Sequence, residues 1–227
     1  MKLNIAFMIL LFSSAALFAQ EVPLPAKPKQ KTKAADTVGT KNPEATKITT
    51  NQALDGLISW DKKLKTLQAD FTQTTDFEGT PISSSEGRIY KQDNNIRLDT
   101  FEEGLLAQSA VTDKKRIKIK DGQGVLITTM AWDDWQEGQT NKALFDFGNY
   151  GKVVKEHKLK SFACDGQFYK LVLVPLKEGP ESYELSFKLN TEDFFIEEIS
   201  LENQGVRTKT TLKNVKKNIK FKESILK

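Results

Sequence analysis

Histidine and cysteine, the side chains that most often act as nucleophiles, bases and metal ligands, each occur once in this chain, as His157 and Cys164. One histidine cannot build a histidine-based triad or a multi-histidine metal site. No CxxC, G-x-S-x-G or Walker motif is present, and no pair of carboxylates has a spacing that demands general acid and base roles. The sequence therefore predicts a protein that is not an enzyme and that needs no metal or cofactor.

Each of these two residues has a structural explanation. His157 follows a predicted helix, where an imidazole commonly interacts with the C-terminal end of the helix dipole. Cys164 has no basic or histidine neighbour in the sequence that would stabilise a thiolate, so we expect it to be a small buried apolar side chain.

The aromatic residues are densest between residues 131 and 157, where strand alternation stops. This insert is predicted to form one or two short helices, broken at Gly148 and Gly151. Aromatic residues at helical spacing usually belong to a core, but an amphipathic insert in a β protein can instead be a lid over a sheet face. Both interpretations stay open at this point. The large apolar residues of the insert are Trp132, Trp135, Leu144, Phe145, Phe147, Tyr150, Val153 and Val154.

The element that must position this insert is the stretch Leu64–Phe77, around which the chain is organised. An amphipathic helix leads into it, starting at a capping box of Thr49 and Gln52 or at Asn51 as direct cap. Asp61 falls on the apolar stripe of that helix, and we interpret it as marking the edge of the stripe. From Leu67 the pattern alternates, as in an antiparallel sheet with one solvated side.

The rest of the chain reads as further strands. Alternating segments follow at residues 85–92, 95–101, 105–112, 114–120 and 125–130, and after the insert at 158–164, 167–176, 182–190, 193–202, 206–215 and 218–225. The fold class is thus mainly β with some α (α+β): an incomplete, strongly curved antiparallel half-barrel of about eleven strands. The N-terminal helix and the helical insert are expected to cover its concave face.

Two N-terminal segments are expected to lie outside this domain. Residues 1–19 combine Lys2, an apolar run and small residues ending at Ala19, which predicts a cleaved signal peptide, with cleavage after Ala19 or Ala16. Residues 20–48 hold four of the seven prolines, no aromatic residue and many lysines, which predicts a disordered tether. The folded domain is then 49–227.

The net positive charge of the chain comes from these two segments alone. Residues 1–48 contain seven lysines and three acids, which leaves 27 basic and 27 acidic residues in the domain. A neutral domain gives no support for nucleic-acid binding.

Four motifs, in order, resemble the family of LolA, the periplasmic lipoprotein carrier. The family's first strand reads loosely L-x-A-x-F-x-Q. Its second and third strands often carry an Arg, a later strand ends in L-x-P-K, and a late hairpin follows. Two departures are the absence of a Pro between the second and third strands and of a Pro-containing tail. The matching segments are Leu67-Gln68-Ala69-Asp70-Phe71-Thr72-Gln73, Gly87-Arg88-Ile89-Tyr90 with Asn95-Ile96-Arg97-Leu98, Leu173-Val174-Pro175-Leu176-Lys177, and Asn203-Gln204-Gly205-Val206-Arg207-Thr208 with Asn218.

The resemblance implies a monomeric periplasmic shuttle that holds the acyl chains of lipoproteins in an apolar cavity closed by helices. It implies as partners acylated lipoproteins, an inner-membrane lipoprotein-releasing ABC transporter and an outer-membrane acceptor. The family's lid-locking arginine corresponds to Arg97, with Arg88 as the rival. The expected lining residues are Leu57, Leu64, Phe71, Ile89, Leu98, Trp132, Trp135, Leu144, Phe145 and Phe147.

A second function fits the same half-barrel. An envelope-stress sensor or scaffold module would use this half-barrel to bind a partner protein or a lipid. Substitution of Trp132 or Phe145 would then impair a protein complex while acyl binding stayed unchanged.

Overall fold

The computed structural model describes residues 48–137, 147–177 and 182–226. The predicted signal peptide, nearly all of the predicted tether, and Leu144 and Phe145 lie outside these ranges, so their assignments stay predictions.

The described chain is an α+β fold dominated by strands, which confirms the predicted fold class. Three helices, α1 to α3, and a C-terminal 3-10 turn accompany eleven strands, β1 to β11. In chain order the elements are α1 Thr50–Lys63, β1 Thr66–Phe77, β2 Thr80–Gln92, β3 Asn95–Glu102, β4 Leu105–Thr112, β5 Arg116–Asp121, β6 Leu126–Ala131, α2 Trp132–Glu137, α3 Tyr150–Glu156, β7 His157–Cys164, β8 Phe168–Pro175, β9 Glu184–Asn190, β10 Ile196–Asn203, β11 Val206–Lys217 and the 3-10 turn Glu223–Leu226.

All eleven strands form one open, curled antiparallel sheet in the order β6-β5-β4-β3-β2-β1-β11-β10-β9-β8-β7. β1 lies near the middle and pairs with β2 on one side and β11 on the other. The chain between β6 and β7 carries α2 and α3. The two ends of the sheet are therefore joined in sequence by the aromatic insert.

The alternation in β1 sets the face that becomes the core. Leu67, Ala69 and Phe71 are buried, as the sequence pattern predicts. Strand register continues this face across the sheet, because Ala69 lies beside Ile89 of β2. The row runs on through Leu98, Ala110 and Ile119. We call this apolar side the inner face and the opposite side the outer face.

Helix α1 begins as predicted. Thr49 Oγ1 accepts a hydrogen bond from the Gln52 N–H at 3.3 Å, and the Gln52 side chain accepts one from the Thr49 N–H at 2.7 Å. This reciprocal pair is a capping box.

Two local predictions are wrong. Residues 218–225 do not continue the sheet; a 3-10 turn closes the described chain instead. Arg97 Nη1 donates to the Ile225 carbonyl at 3.1 Å, and Phe221 packs edge-on against Tyr90, so this segment lies on the outer face of β2 and β3. Gly151 lies inside α3 rather than breaking it, whereas Gly148, with a φ of +92°, does sit in a turn.

The close packing around Gly87 can be tested by substitution. A Cβ at this position would lie 2.2 Å from the Asp99 carbonyl oxygen and 2.5 Å from the Phe71 ring. Gly87→Ala is expected to lower the free energy of unfolding by about 1–3 kcal/mol, because backbone and a core ring must shift. Urea unfolding followed by circular dichroism measures it.

The matched control is Gly151→Ala in α3, where the nearest contact of the new Cβ is Ile58 at 3.6 Å. This helical change is expected to be neutral or stabilising by up to about 1 kcal/mol. Equal effects of the two substitutions would contradict the packing described for Gly87.

Candidate functional site

Eight of the ten predicted lining residues are described, and all eight are buried in one continuous core between the inner face and the helices. Leu144 and Phe145 are the two that lie outside the described ranges. The structure therefore brings the predicted set together in a closed arrangement. The eight are Leu57, Leu64, Phe71, Ile89, Leu98, Trp132, Trp135 and Phe147.

An aromatic cluster joins α1, α3 and the sheet. The Trp60 ring of α1 lies 4.9 Å from Phe195 and 6.3 Å from Phe147, measured between centroids. Tyr150, the first residue of α3, lies 5.7 Å from Phe187 of β9 in an edge-to-face arrangement. Helical spacing alone does not identify this cluster, because the partners of Trp60 are far away along the chain.

Helix α2 lies at the β6 end of the sheet. Trp132 and Trp135 stack with their centroids 4.9 Å apart, and both are buried. The helix contacts β5 and β6, the strands at that end of the sheet. Burial of this kind is shared by a permanent core and by a closed lid, so both interpretations of the insert remain.

Asp61 is buried, and its interpretation as an edge residue is wrong. Only 3% of the residue is exposed. Its two carboxylate oxygens accept hydrogen bonds from the Gly148 N–H at 2.5 Å and the Tyr150 N–H at 3.0 Å. One side chain of α1 thereby holds the chain that enters α3, at a sequence separation that helical spacing cannot reveal.

Two lysines approach the same junction. Lys114, in the turn before β5, donates to the Phe147 carbonyl at 2.7 Å. Lys91 of β2 is 3% exposed, and its Nζ lies 3.4 Å from the Leu64 carbonyl. Burial lowers the pKa of Lys91, the charge of Lys114 lowers it further, and Asp61 opposes both effects.

Sequence reasoning missed these lysines, although a signal existed for one. Lys91 is two residues after Ile89 and so shares its face of β2, between Leu67 and Ile96 in the register. A lysine on the apolar side of a strand indicates a specific partner. No comparable signal marks Lys114, whose partner lies 33 residues away.

The two candidate lid-locking arginines lie elsewhere. Arg88 Nε donates to Asp70 at 2.5 Å, and Arg97 Nε donates to Asp99 at 2.8 Å. Arg97 also holds the C-terminal 3-10 turn through Ile225. Arg88 thus links β2 to β1, and Arg97 contacts its own strand and the C-terminal turn. Because neither contact involves the helices, a lid-locking role for either residue stays a prediction.

His157 caps the C-terminal end of α3, as predicted. Its Nδ1–H donates to the Val153 carbonyl at 2.6 Å, and Nε2 lies 2.9 Å from the Tyr183 hydroxyl. Cys164 ends β7 and is exposed, so the prediction that it is buried is wrong. Cys164 is exposed because it is the last residue of β7, which lies at the edge of the sheet.

Asp61 generates a prediction about pH. Burial raises the pKa of Asp61, against the lowering effect of the two N–H donors. A raised pKa means that the folded state keeps the proton to a higher pH than the unfolded state. The stability that this group contributes is thus complete below its unfolded pKa of about 4, and it falls as pH rises through the folded value.

Asp61→Asn is expected to remove this part of the pH dependence. It also leaves one of the two N–H groups without an acceptor, at a cost of about 1–3 kcal/mol. We therefore expect the wild type to have a higher free energy of unfolding than Asp61→Asn, by a difference that decreases as pH rises. Urea unfolding of the two proteins between pH 4 and 7 measures this difference. Parallel profiles would contradict the role assigned to this carboxylate.

The helices of the described chain include none that is both long and apolar enough to cross a membrane. Comparison with solved structures finds a LolA superfamily protein from Nitrosomonas europaea (10% identity, 80% of this chain and 98% of the other, TM-score 0.40). It also finds the MucA/MucB complex of Pseudomonas aeruginosa (18%, 78% and 59%, 0.43) and the Mycobacterium tuberculosis lipoprotein LppX (8%, 77% and 99%, 0.43). No curated protein matches the chain.

The model of the family "Outer membrane lipoprotein carrier protein LolA" matches residues 62–227. That range runs from the last turn of α1 through every strand of the sheet and includes the inner face described above. The match covers well over half of the sequence, and the chain therefore belongs to the LolA family of outer membrane lipoprotein carrier proteins.

Proposed function

We propose that this protein carries lipoproteins through the periplasm by holding their acyl chains between the inner face of the sheet and helices α1 to α3. The observation that carries the proposal is the continuous apolar core that the inner face and these helices form among the described residues. The family match over residues 62–227 supports it. In this role the protein is a carrier and does no chemistry on its cargo.

The need for a carrier follows from the cost of exposing an acyl chain to water. A sixteen-carbon chain costs about 12 kcal/mol in water, at about 0.8 kcal/mol per methylene. A lipoprotein therefore crosses an aqueous compartment only with that surface covered. Covering it by an apolar sheet face gives affinity without requiring a particular acyl length.

Entry of an acyl chain requires the helices to move, because the eight described lining residues already pack against one another. The polar contacts at the start of α3 suit such a motion. Asp61 and Lys114 bind backbone groups of residues 147–150 by hydrogen bonds, which water can replace on opening. We therefore assign α2 and α3 the role of a lid and the polar joints the role of its latch.

The partners in this proposal are acylated lipoproteins, an inner-membrane lipoprotein-releasing ABC transporter as donor and an outer-membrane acceptor. Residues 1–19 act as a cleaved signal peptide and residues 20–48 as a tether to the monomeric carrier domain. Nucleic acid has no part in it, because the domain carries 27 basic and 27 acidic residues.

Binding of an acyl chain at the inner face is tested with the mature protein. It is expected to co-purify with acylated species that mass spectrometry detects, and to bind a fluorescent fatty-acyl probe. Ala110→Phe, which adds bulk to the inner face, should weaken probe binding. Val111→Phe, the neighbouring residue on the outer face, is the control and should leave it unchanged.

An empty protein that does not bind the probe would contradict acyl carriage. Equal affinities of the two phenylalanine variants would contradict the assignment of the inner face. Purification with a partner protein in place of acylated species would favour the scaffold function.

The latch yields a kinetic prediction. Lys114→Met removes the donor to the Phe147 carbonyl, and loss of one net hydrogen bond should speed probe association about 2- to 10-fold by favouring the open state. Stopped-flow fluorescence measures the rate. Lys115→Met, at an exposed position of the same turn, should keep the wild-type rate, and identical rates for all three proteins would rule out Lys114 as part of a latch.

A further inference from the structure

The open sheet has two edge strands, β6 and β7. Among the described residues, neither strand pairs with a further strand along the edge that points away from the sheet. An unpaired edge exposes a row of backbone N–H and C=O groups that any extended chain can bind. Proteins therefore usually protect such edges with charged residues, prolines or bulges.

The two edges differ in this protection. β7 carries Lys158 and Lys160 at exposed positions, and its pairing with β8 shifts register between Leu159 and Ser161. β6, with the sequence LITTMA, has no charged residue and no proline. Both edges therefore carry a register shift, but only β7 carries charged residues.

The start of β6 is also apolar and solvent-exposed. Val125, Leu126 and Ile127 are 60%, 54% and 58% exposed, and Leu105 at the adjacent turn is 75% exposed. The only register shift between β5 and β6 falls at Ile127, so Thr128–Ala131 present a regular edge. The exposed apolar residues therefore lie at the register shift, beside a short regular edge without charged residues, and a regular uncharged edge can accept an added strand.

The orientation of the edge follows from one hydrogen bond. The Trp132 N–H donates to the Lys115 carbonyl at 3.0 Å, on the β5 side. Because N–H groups alternate in an antiparallel pair, those of Met130 and Thr128 also face β5. Those of Thr129 and Ala131 then point away from the sheet.

This edge is continuous with the proposed acyl site. β6 runs without interruption into α2, whose first residue, Trp132, belongs to the buried core. Met130 packs against the same core from within β6. A polypeptide whose acylated residue sits beneath α2 would therefore leave the site alongside β6.

We propose that the outer edge of β6 binds the extended segment that follows the acylated residue of the cargo, by β-strand addition. This inference rests on the proposed acyl carriage. Recognition through the backbone suits a carrier of varied cargo, because it depends little on side chains. Six residues of the cargo, about 20 Å of extended chain, would cover the strand.

The test compares synthetic ligands for displacement of the fluorescent acyl probe from the mature protein. One ligand is a diacylglyceryl cysteine amide, and a second adds a six-residue uncharged tail. Two further ligands carry N-methyl groups on alternate tail residues, in the two opposite registers. The ligand with the tail should have a dissociation constant about tenfold lower than the tail-free ligand, because the tail adds one or two net hydrogen bonds.

Only one of the two N-methylated ligands should lose this gain, because alternate N–H groups of a paired strand face its partner. On the protein side, Thr129→Pro removes an outward N–H and should abolish the gain, while Thr129→Ala keeps the N–H and the gain. The tail-free ligand should bind both variants as it binds the wild type, which shows that each variant is folded.

Equal affinities with and without the tail, or equal losses from both N-methyl registers, would overturn the proposal. Concentration-dependent dimers in sedimentation that disappear with Ile127→Lys would overturn it as well, because a second copy would then occupy the edge. Failure of the tail-free ligand to bind would instead contradict the proposed acyl carriage itself.

Discussion

The arrangement of this protein depends on one buried carboxylate. Asp61 of α1 receives the N–H groups of Gly148 and Tyr150, which fixes α1 to the chain that enters α3. Around this joint Trp60, Phe147 and Tyr150 pack together and onto the sheet. A buried carboxylate without hydrogen-bond partners would be costly, so these two bonds fix the geometry of the closed state. Water can replace the same bonds when the helices move away from the sheet.

The two faces of the sheet have different roles. The inner face supplies apolar area for the core, interrupted by Lys91 and bordered by Lys114 at the junction with the helices. The outer face carries ion pairs such as Arg88 with Asp70, and it receives the C-terminal turn through Arg97. Motion of the helices can therefore expose the inner face while the paired strands keep their register, which is the separation that a carrier with a lid needs.

The sequence predicts what depends on local pattern and misses what depends on distant partners. Alternation in β1 identifies the inner face, and the capping box locates the start of α1, because both signals lie within a few residues. The interpretation of Asp61 as an edge residue is wrong because the N–H donors of this carboxylate are 87 and 89 residues away. Alternating polar and apolar residues predict a strand at 218–225, whereas contacts with Arg97 and Tyr90 hold this segment on the outer face.

Hydrogen exchange of the mature protein with and without a saturating diacylated lipopeptide tests the central claim most directly. If α2 and α3 form a lid held by polar joints, the amides of Gly148 and Tyr150 should lose protection when the lipopeptide binds. Amides in the middle of β1, such as those of Phe71 and Gln73, should keep theirs. Binding that leaves the protection of Gly148 and Tyr150 unchanged would contradict the account, because the acyl chains would then occupy some other part of the molecule.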